Sequence, residues 1–337
     1  MVAILAVRAF PTTIRDRLTL LGARLGTKFG CTTQALAVIS ALMTYQHPLA
    51  YLLGLEGHAL LRGWAGDYDR EFVEARLAEI AALLANDTLS GHPGVNVERG
   101  TIQGGYERWA PSYDGPNGLF DIDEPVVYGI VDALPVGDAL DAACGTGRFA
   151  THLLERGHRV IGVDSSPHML DVARAKLPDA DLRLGELQAI PVDDAAVDLV
   201  MCGLALIHMP DLGPVMAEFA RVLRPGGHVV VSDVHHRLVL LGSVVHATGP
   251  NGEPGLTPTF RHSAGDFVRA ALGAGLEIRR CEELRTAPTT PPAPARPDAE
   301  PGEWADWPWT LLAMLPAAAH ASVGGEVIVL DLQKPTA

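Results

Sequence analysis

The sequence predicts an α/β protein: a seven-stranded, mostly parallel sheet with helices on both faces, preceded by a helical N-terminal region. Three observations carry this prediction. From Gly137 onward, short apolar runs alternate with amphipathic stretches, the pattern of strands joined by crossover helices. Gly145 and Gly147 stand where the first apolar run gives way to a helix, so the backbone can turn sharply with no Cβ in the way. Upstream of residue 90, hydrophobic residues recur at helical spacing instead of alternating.

In the N-terminal region the clearest helix is 69–86. Phe72, Val73, Leu77, Ile80 and Leu84 would form its apolar face, with Arg70, Glu71, Glu74, Arg76 and Glu79 opposite. The most apolar stretch, 35–61, contains Gln46, His47, Pro48, Glu56 and His58. It therefore lacks the roughly 18 uninterrupted apolar residues of a membrane span and reads as buried helix. Tyr45, His47 and His58 are expected to be buried helix residues with local partners. Residues 90–105 are rich in glycine and turn formers and read as a linker. The boundary is placed near residue 95, separating a helical region 1–95, a cap or a dimerisation element, from a domain 96–337.

In that domain the expected strands are 139–143, 159–163, 181–184, 197–202, 228–232, 276–281 and 326–332. The first crossover helix, 148–156, is closed by Gly157; the second is capped by Ser165 or Ser166, with Pro167 in its first turn and Pro178 beyond its end. A third runs over 212–223, and Ser263 caps a fourth. Two insertions interrupt the pattern, at about 234–262 and 286–316. The second opens on a tract containing Pro288, Pro291, Pro292, Pro294, Pro297 and Pro301, and that tract is expected to be an extended surface loop without a fold of its own.

Composition narrows the function classes. A chain of 337 residues with 48% hydrophobic and 20% charged residues reads as folded, with a large core. Its net charge of -14 disfavours a nucleic-acid partner, because neutralising phosphates requires clustered Lys and Arg. Cys31, Cys144, Cys202 and Cys281 show no paired spacing, so no metal site and a reduced, cytoplasmic protein are expected. The apolar start Met1–Val7 is broken by Arg8 before it reaches signal-peptide length. No membrane association is expected.

The segment A-L-D-A-A-C-G-T-G-R-F-A, residues 139–150, carries the most chemical information. Gly145, Gly147 and Ala150 fit the dinucleotide pattern G-x-G-x-x-G/A, in itself a weak signal. Asp141, four residues before Gly145, would repel a pyrophosphate but suit a cationic adenosine ligand such as S-adenosylmethionine, which carries a sulfonium and no phosphate. Asp164, nineteen residues after Gly145, ends the next strand, where a carboxylate can accept both ribose hydroxyls.

With V-I-G-V-D-S-S-P-H-M-L, G-E-L-Q-A-I-P-V-D-D-A-A-V-D-L-V, L-A-L-I-H-M-P-D-L and R-V-L-R-P-G-G-H-V-V-V-S-D following in order, the sequence resembles the class I S-adenosylmethionine-dependent methyltransferases, in the group related to the quinone methyltransferases. The resemblance implies a Rossmann-like sheet and S-adenosylmethionine as cofactor. It further implies that Ala143, Gly145 and Gly147 line the methionine portion, that Asp164 holds the ribose, and that Ser165, Met169, Glu186 and Leu187 lie by the adenine. Cys202 and Gly203 would present backbone to the ammonium. G-Y-E-R-W-A-P-S-Y-D-G-P resembles the aromatic segment that closes over the cofactor, making Tyr106, Trp109 and Tyr113 a lid hinged on Gly100, Gly104 and Gly105.

The expected reaction is methyl transfer to a small-molecule acceptor, bulky or apolar and, by analogy, part of specialised (natural product) metabolism. It needs alignment and exclusion of water, and a general base only where the acceptor proton is poorly acidic. His208 is the first candidate base, with His235 and His236 behind it. Cys144 and Cys202 read as small buried residues, and Trp304, Trp307 and Trp309 as core or lid anchors. The rival readings are a non-methylating S-adenosylmethionine-binding protein, either a cyclase or rearrangement catalyst or an interaction module, and an NAD(P)-dependent oxidoreductase using the same glycines.

Overall fold

The structure is a computed structural model and describes residues 43–248, 253–285 and 293–336. Met1–Val7, Cys31 and the start of the stretch 35–61 lie outside the described residues, as do Pro288, Pro291 and Pro292. Tyr45 to Ala337 belong to one compact unit.

The strands are β1 (Met43–Gln46), β2 (Val95–Arg99), β3 (Asp138–Ala142), β4 (Arg159–Asp164), β5 (Asp181–Leu184) and β6 (Val197–Gly203), followed by β7 (Leu223–Val234), β8 (His246–Thr248), β9 (Pro254–Leu256), β10 (Glu277–Leu284) and β11 (Val327–Gln333). Seven of them form the main sheet in the order β10-β11-β7-β6-β3-β4-β5. Pairing is parallel from β5 through β7, while β11 runs antiparallel to both neighbours. All seven expected strands are present, within a few residues at each end.

Alternation along the strands explains the two covered faces. Leu140, Val200, Val229 and Val231 pack with Met216 and Phe219 of helix Gly213–Val222 and Phe267 of helix Ala264–Gly273. Ala139, Leu199, Met201 and Val230 point the other way, onto Val127 and Ile130 of helix Gly118–Val131 and Phe149 and Leu153 of helix Arg148–Glu155. The caps are local: Ser166, not Ser165, accepts the Met169 N–H at the head of helix Pro167–Lys176, and Ser263 forms a reciprocal box with Asp266.

Outside the main sheet the expectations need correction. The stretch read as a linker contains β2, which pairs in parallel with β9 in a four-stranded sheet ordered β1-β2-β9-β8, and helix Ile102–Trp109. The second insertion folds after its proline tract. Its helices Trp309–Met314 and Pro316–Ser322 share a core with helices Pro48–Trp64 and Arg70–Ala85, built from Leu52, Leu55, Leu83, Leu311, Met314 and Ala318. Hydrogen bonds from Arg62 to the Ala321 carbonyl and from Trp304 to the Gln46 side chain tie the two parts together.

Helix Arg70–Ala85 also turns a different face inward. Leu77 and Leu84 are more than half exposed, whereas Arg76 and Leu83 are buried. The reason is an ion pair: Arg76 Nε lies 3.1 Å from Glu56 Oε2 and the guanidinium also bonds Glu79. Burial pushes the Glu56 carboxyl up to about 8 in spite of Arg76. Tyr45 is an exposed strand residue whose hydroxyl donates to the Pro93 carbonyl, His58 is exposed, and His47 is hydrogen-bonded to the His92 carbonyl.

Candidate active site

The site lies at the carboxyl ends of the central strands, where the strand order reverses between β3 and β6. After β3 the chain passes through Ala143 at φ 60° and Gly145 at φ 54°, and Gly147, at φ 88°, opens helix Arg148–Glu155. The turn is held from below and from the side. Asp141 Oδ2 accepts the Ala150 N–H at 2.8 Å, and Asp164 at the end of β4 accepts the Gly145 N–H with Oδ2 and the Ser166 N–H with Oδ1, each at 2.8 Å. Every Asp164 oxygen keeps lone-pair capacity toward the cleft it lines. Burial pushes the Asp164 carboxyl above the ordinary carboxylate range, opposed by the Ser166, Gly145 and Ser165 N–H groups.

Ala143, Gly145, Asp164, Ser165, Met169, Glu186, Leu187 and Gly203 line this cleft. Asp141, Gly147 and Cys202 do not. Asp141 is fully buried beneath the turn, and its carboxyl is pushed up to about 7 by burial, so it braces the turn instead of facing a ligand. A Cβ on Gly147 would meet the Leu177 side chain at 3.0 Å, a packing role. Cys202 sits within the sheet core, its thiol pushed up by burial, as is that of Cys144. The cleft also uses Ile102, Gln103 and Met209, which the sequence motifs did not single out.

Tyr106 of helix Ile102–Trp109 meets His208 across the cleft. Its hydroxyl and His208 Nε2 are 2.7 Å apart, and His208 Nδ1 is 2.7 Å from the Pro258 carbonyl. A carbonyl only accepts, so Nδ1 carries the ring proton and Nε2 accepts the Tyr106 O–H. Burial lowers the His208 value and raises that of Tyr106 well above the ordinary phenol range, so both groups are neutral.

Trp109 and Tyr113 complete the aromatic cluster, with ring centroids 4.8 Å apart. Tyr113 lies just past the 3-10 turn Ala110–Ser112. The neighbouring Asp114 accepts from Thr146 in the glycine turn at 2.6 Å and from Lys176 at 2.7 Å; burial opposes ionisation of this carboxyl, but the two bonds outweigh it and lower its value. The expected hinge glycines are engaged. The Gly100 N–H bonds the Leu256 carbonyl, and a Cβ on Gly105 would collide with Thr257.

Beyond the aromatic cluster opens a chamber of about 890 Å³. Its walls are largely apolar, including Ile207, Val234, Leu238, Leu312, Val323 and Trp307, with His246, His320 and Glu326 among its polar groups. Tyr106, Tyr113 and Leu204 line both the cleft and the chamber. His235 and His236 line neither. The His235 ring turns to Glu283 of β10, with Nε2 3.0 Å from Oε1. Of the three tryptophans, Trp307 is buried, Trp304 is partly buried and Trp309 is more than half exposed.

Residues 140–231 match the family model described as a methyltransferase domain. The matched residues run from β3 into β7 and are similar to that domain. This chain is 37% identical over 149 residues to a malonyl-[acyl-carrier protein] O-methyltransferase of Serratia marcescens, covering 44% of this chain and 55% of that one. It is 39% identical over 162 residues to an uncharacterized methyltransferase of Mycobacterium bovis, covering 48% and 62%. A demethylmenaquinone methyltransferase of Renibacterium salmoninarum is 32% identical over 132 residues, covering 38% and 56%. The matches thus span little more than half the length of these relatives. The cleft fits S-adenosylmethionine, the cofactor that the sequence motifs imply: Asp164 and Glu186 are the charged lining residues, with no Lys or Arg among the described ones. That electrostatic balance suits a sulfonium and an ammonium and would repel a pyrophosphate.

Proposed function

We propose that this chain transfers the methyl group of S-adenosylmethionine to an apolar small molecule bearing an acidic O–H, N–H or C–H, held in the chamber behind Tyr106 and Tyr113. The observation that carries this reading is the shared wall: Tyr106, Tyr113 and Leu204 border both spaces, so a nucleophile in the chamber would reach the methyl donor between the two rings. The apolar lining favours a bulky hydrophobic acceptor over a nucleic acid.

The bound cofactor supplies an electrophilic methyl on a sulfonium. In this reading Asp164 orients the ribose, and the faces of Tyr106 and Tyr113 favour the cationic sulfur. Tyr106 touches the acceptor and takes up its proton as the tyrosine's own proton moves to His208 Nε2, while Nδ1–H stays bonded to the Pro258 carbonyl. Helices Pro48–Trp64 and Arg70–Ala85 act as a cap that buttresses the chamber-lining helices through their common core. Relatives that methylate malonyl-[acyl-carrier protein] and demethylmenaquinone make acyl and quinone acceptors the first to test.

The test is incubation with methyl-labelled S-adenosylmethionine and a panel of hydrophobic phenols, hydroquinones and acyl thioesters, followed by mass spectrometry. Label in an apolar acceptor, lost in Tyr106→Phe, supports the reading. Transfer confined to small polar acceptors, or none across the panel despite cofactor binding, sinks it.

A further inference from the structure

His235, His236 and Glu283 remain outside both cavities, yet the fold brings them together. His235 and His236 turn the corner from β7 into helix His236–Leu240, and Glu283 comes from β10 on the far side of β11. One donor atom from each of the three lies within 4.8 Å of the others. His235 is buried, Glu283 is about half exposed, and His236 Nδ1 is buried with no hydrogen-bond partner. Two imidazoles and one carboxylate are a donor set that zinc accepts, and a tetrahedral ion would draw such atoms to about 3.4 Å from one another.

We propose that His235, His236 and Glu283 bind a divalent cation of the zinc class, with water in the remaining position. In the structure the His235 ring donates from Nε2 to Glu283 and accepts the Arg237 N–H at Nδ1, the latter at a long 3.3 Å. Coordination through Nε2 moves the ring proton to Nδ1 and gives up that long bond. No net proton is released from this ring. The Arg237 guanidinium packs against Gly324, and its charge also acts on His236 and Glu283. The half-exposed Glu283 supplies both the entry path and the rotation that closes the set. The bound ion would fasten β10 to the corner after β7, next to Val234 and Glu326, two residues of the chamber wall.

The experiment titrates ZnCl2 into the full chain by calorimetry and CoCl2 by visible absorption. One equivalent per chain is expected, with the intense d–d bands of four-coordinate cobalt displaced by zinc. His236→Ala and Glu283→Gln, both at partly exposed positions, should each weaken zinc binding at least tenfold while their melting temperatures without added metal stay near that of the parent. No binding by the parent chain overturns the proposal. So does zinc binding that survives both substitutions, which would place the ion on other histidines.

Discussion

The Tyr106 hydroxyl donates to His208 Nε2 at 2.7 Å, joining a helix that precedes the sheet to the turn that follows β6. Because Pro258 holds the other ring nitrogen, this bond fixes the tautomer as well as the position of the imidazole. Nitrogen-resolved NMR at pH 7 should show His208 neutral and protonated on Nδ1. Its value is lowered by burial, so the ring should titrate below 6.5. An unfolded histidine binds its proton near 6.5, so this group adds stability above that pH and loses it as pH falls through the native value. A ring protonated on Nε2, or charged at pH 7, would remove His208 as the base.

Asp164→Ala should weaken S-adenosylmethionine binding by about 1.5–3 kcal/mol, the scale of hydrogen bonds to a charged group. It should also lower the melting temperature, because the Gly145 and Ser166 N–H groups lose their acceptor. Asp164→Asn, which keeps one oxygen, should fall between the two. Calorimetry with unchanged affinity in a folded Ala variant would refute the ribose assignment.

Asp233 is fully buried at the end of β7, neither of its oxygens has a well-formed hydrogen bond, and burial pushes its carboxyl up to about 8. Nearby N–H groups of Val234, Ile207 and Leu206 lower it only in part. Between pH 4 and 8 the unfolded carboxyl ionises while the native one stays protonated. Stability therefore declines as pH rises, by at most about 1.4 kcal/mol per unit. Asp233→Asn should flatten the fall in melting temperature from pH 5 to 8. Asp141 and Glu56 act in the same direction but are common to both proteins, so parallel curves would exclude a proton on Asp233.

Leu312→Trp fills part of the chamber without touching the cleft residues. The KM for an elongated apolar acceptor should rise roughly tenfold or more, the scale of steric discrimination in a hydrophobic pocket. Affinity for S-adenosylmethionine should not change. Equal effects on both would mean that the chamber is not the acceptor site.

The sheet and the cofactor cleft were legible because their signals are local. A strand, a glycine turn and a capped helix fall within a few tens of residues, and Asp164 is tied to Gly145 by the same short unit. Asp141 was misread because proximity in sequence does not say which side of the turn its carboxyl takes; it bonds the Ala150 N–H underneath. The helices that follow the proline tract were not legible because their partners, Leu52 and Leu55, lie far upstream. The His208–Tyr106 pair spans 102 residues, and no spacing rule reaches that far.

The packing of helix Pro48–Trp64 against helix Pro316–Ser322 joins residues such as Arg62 and Ala321, 259 positions apart. β11 likewise inserts between β7 and β10, both made before it. During synthesis helix Pro48–Trp64 must therefore wait for a partner that emerges late, and β7 and β10 stand apart until β11 fills the gap between them. Closing so long a loop is slow compared with local helix formation. The chamber is thus assembled in a late step, and until then its apolar walls are open to water and to one another's wrong partners.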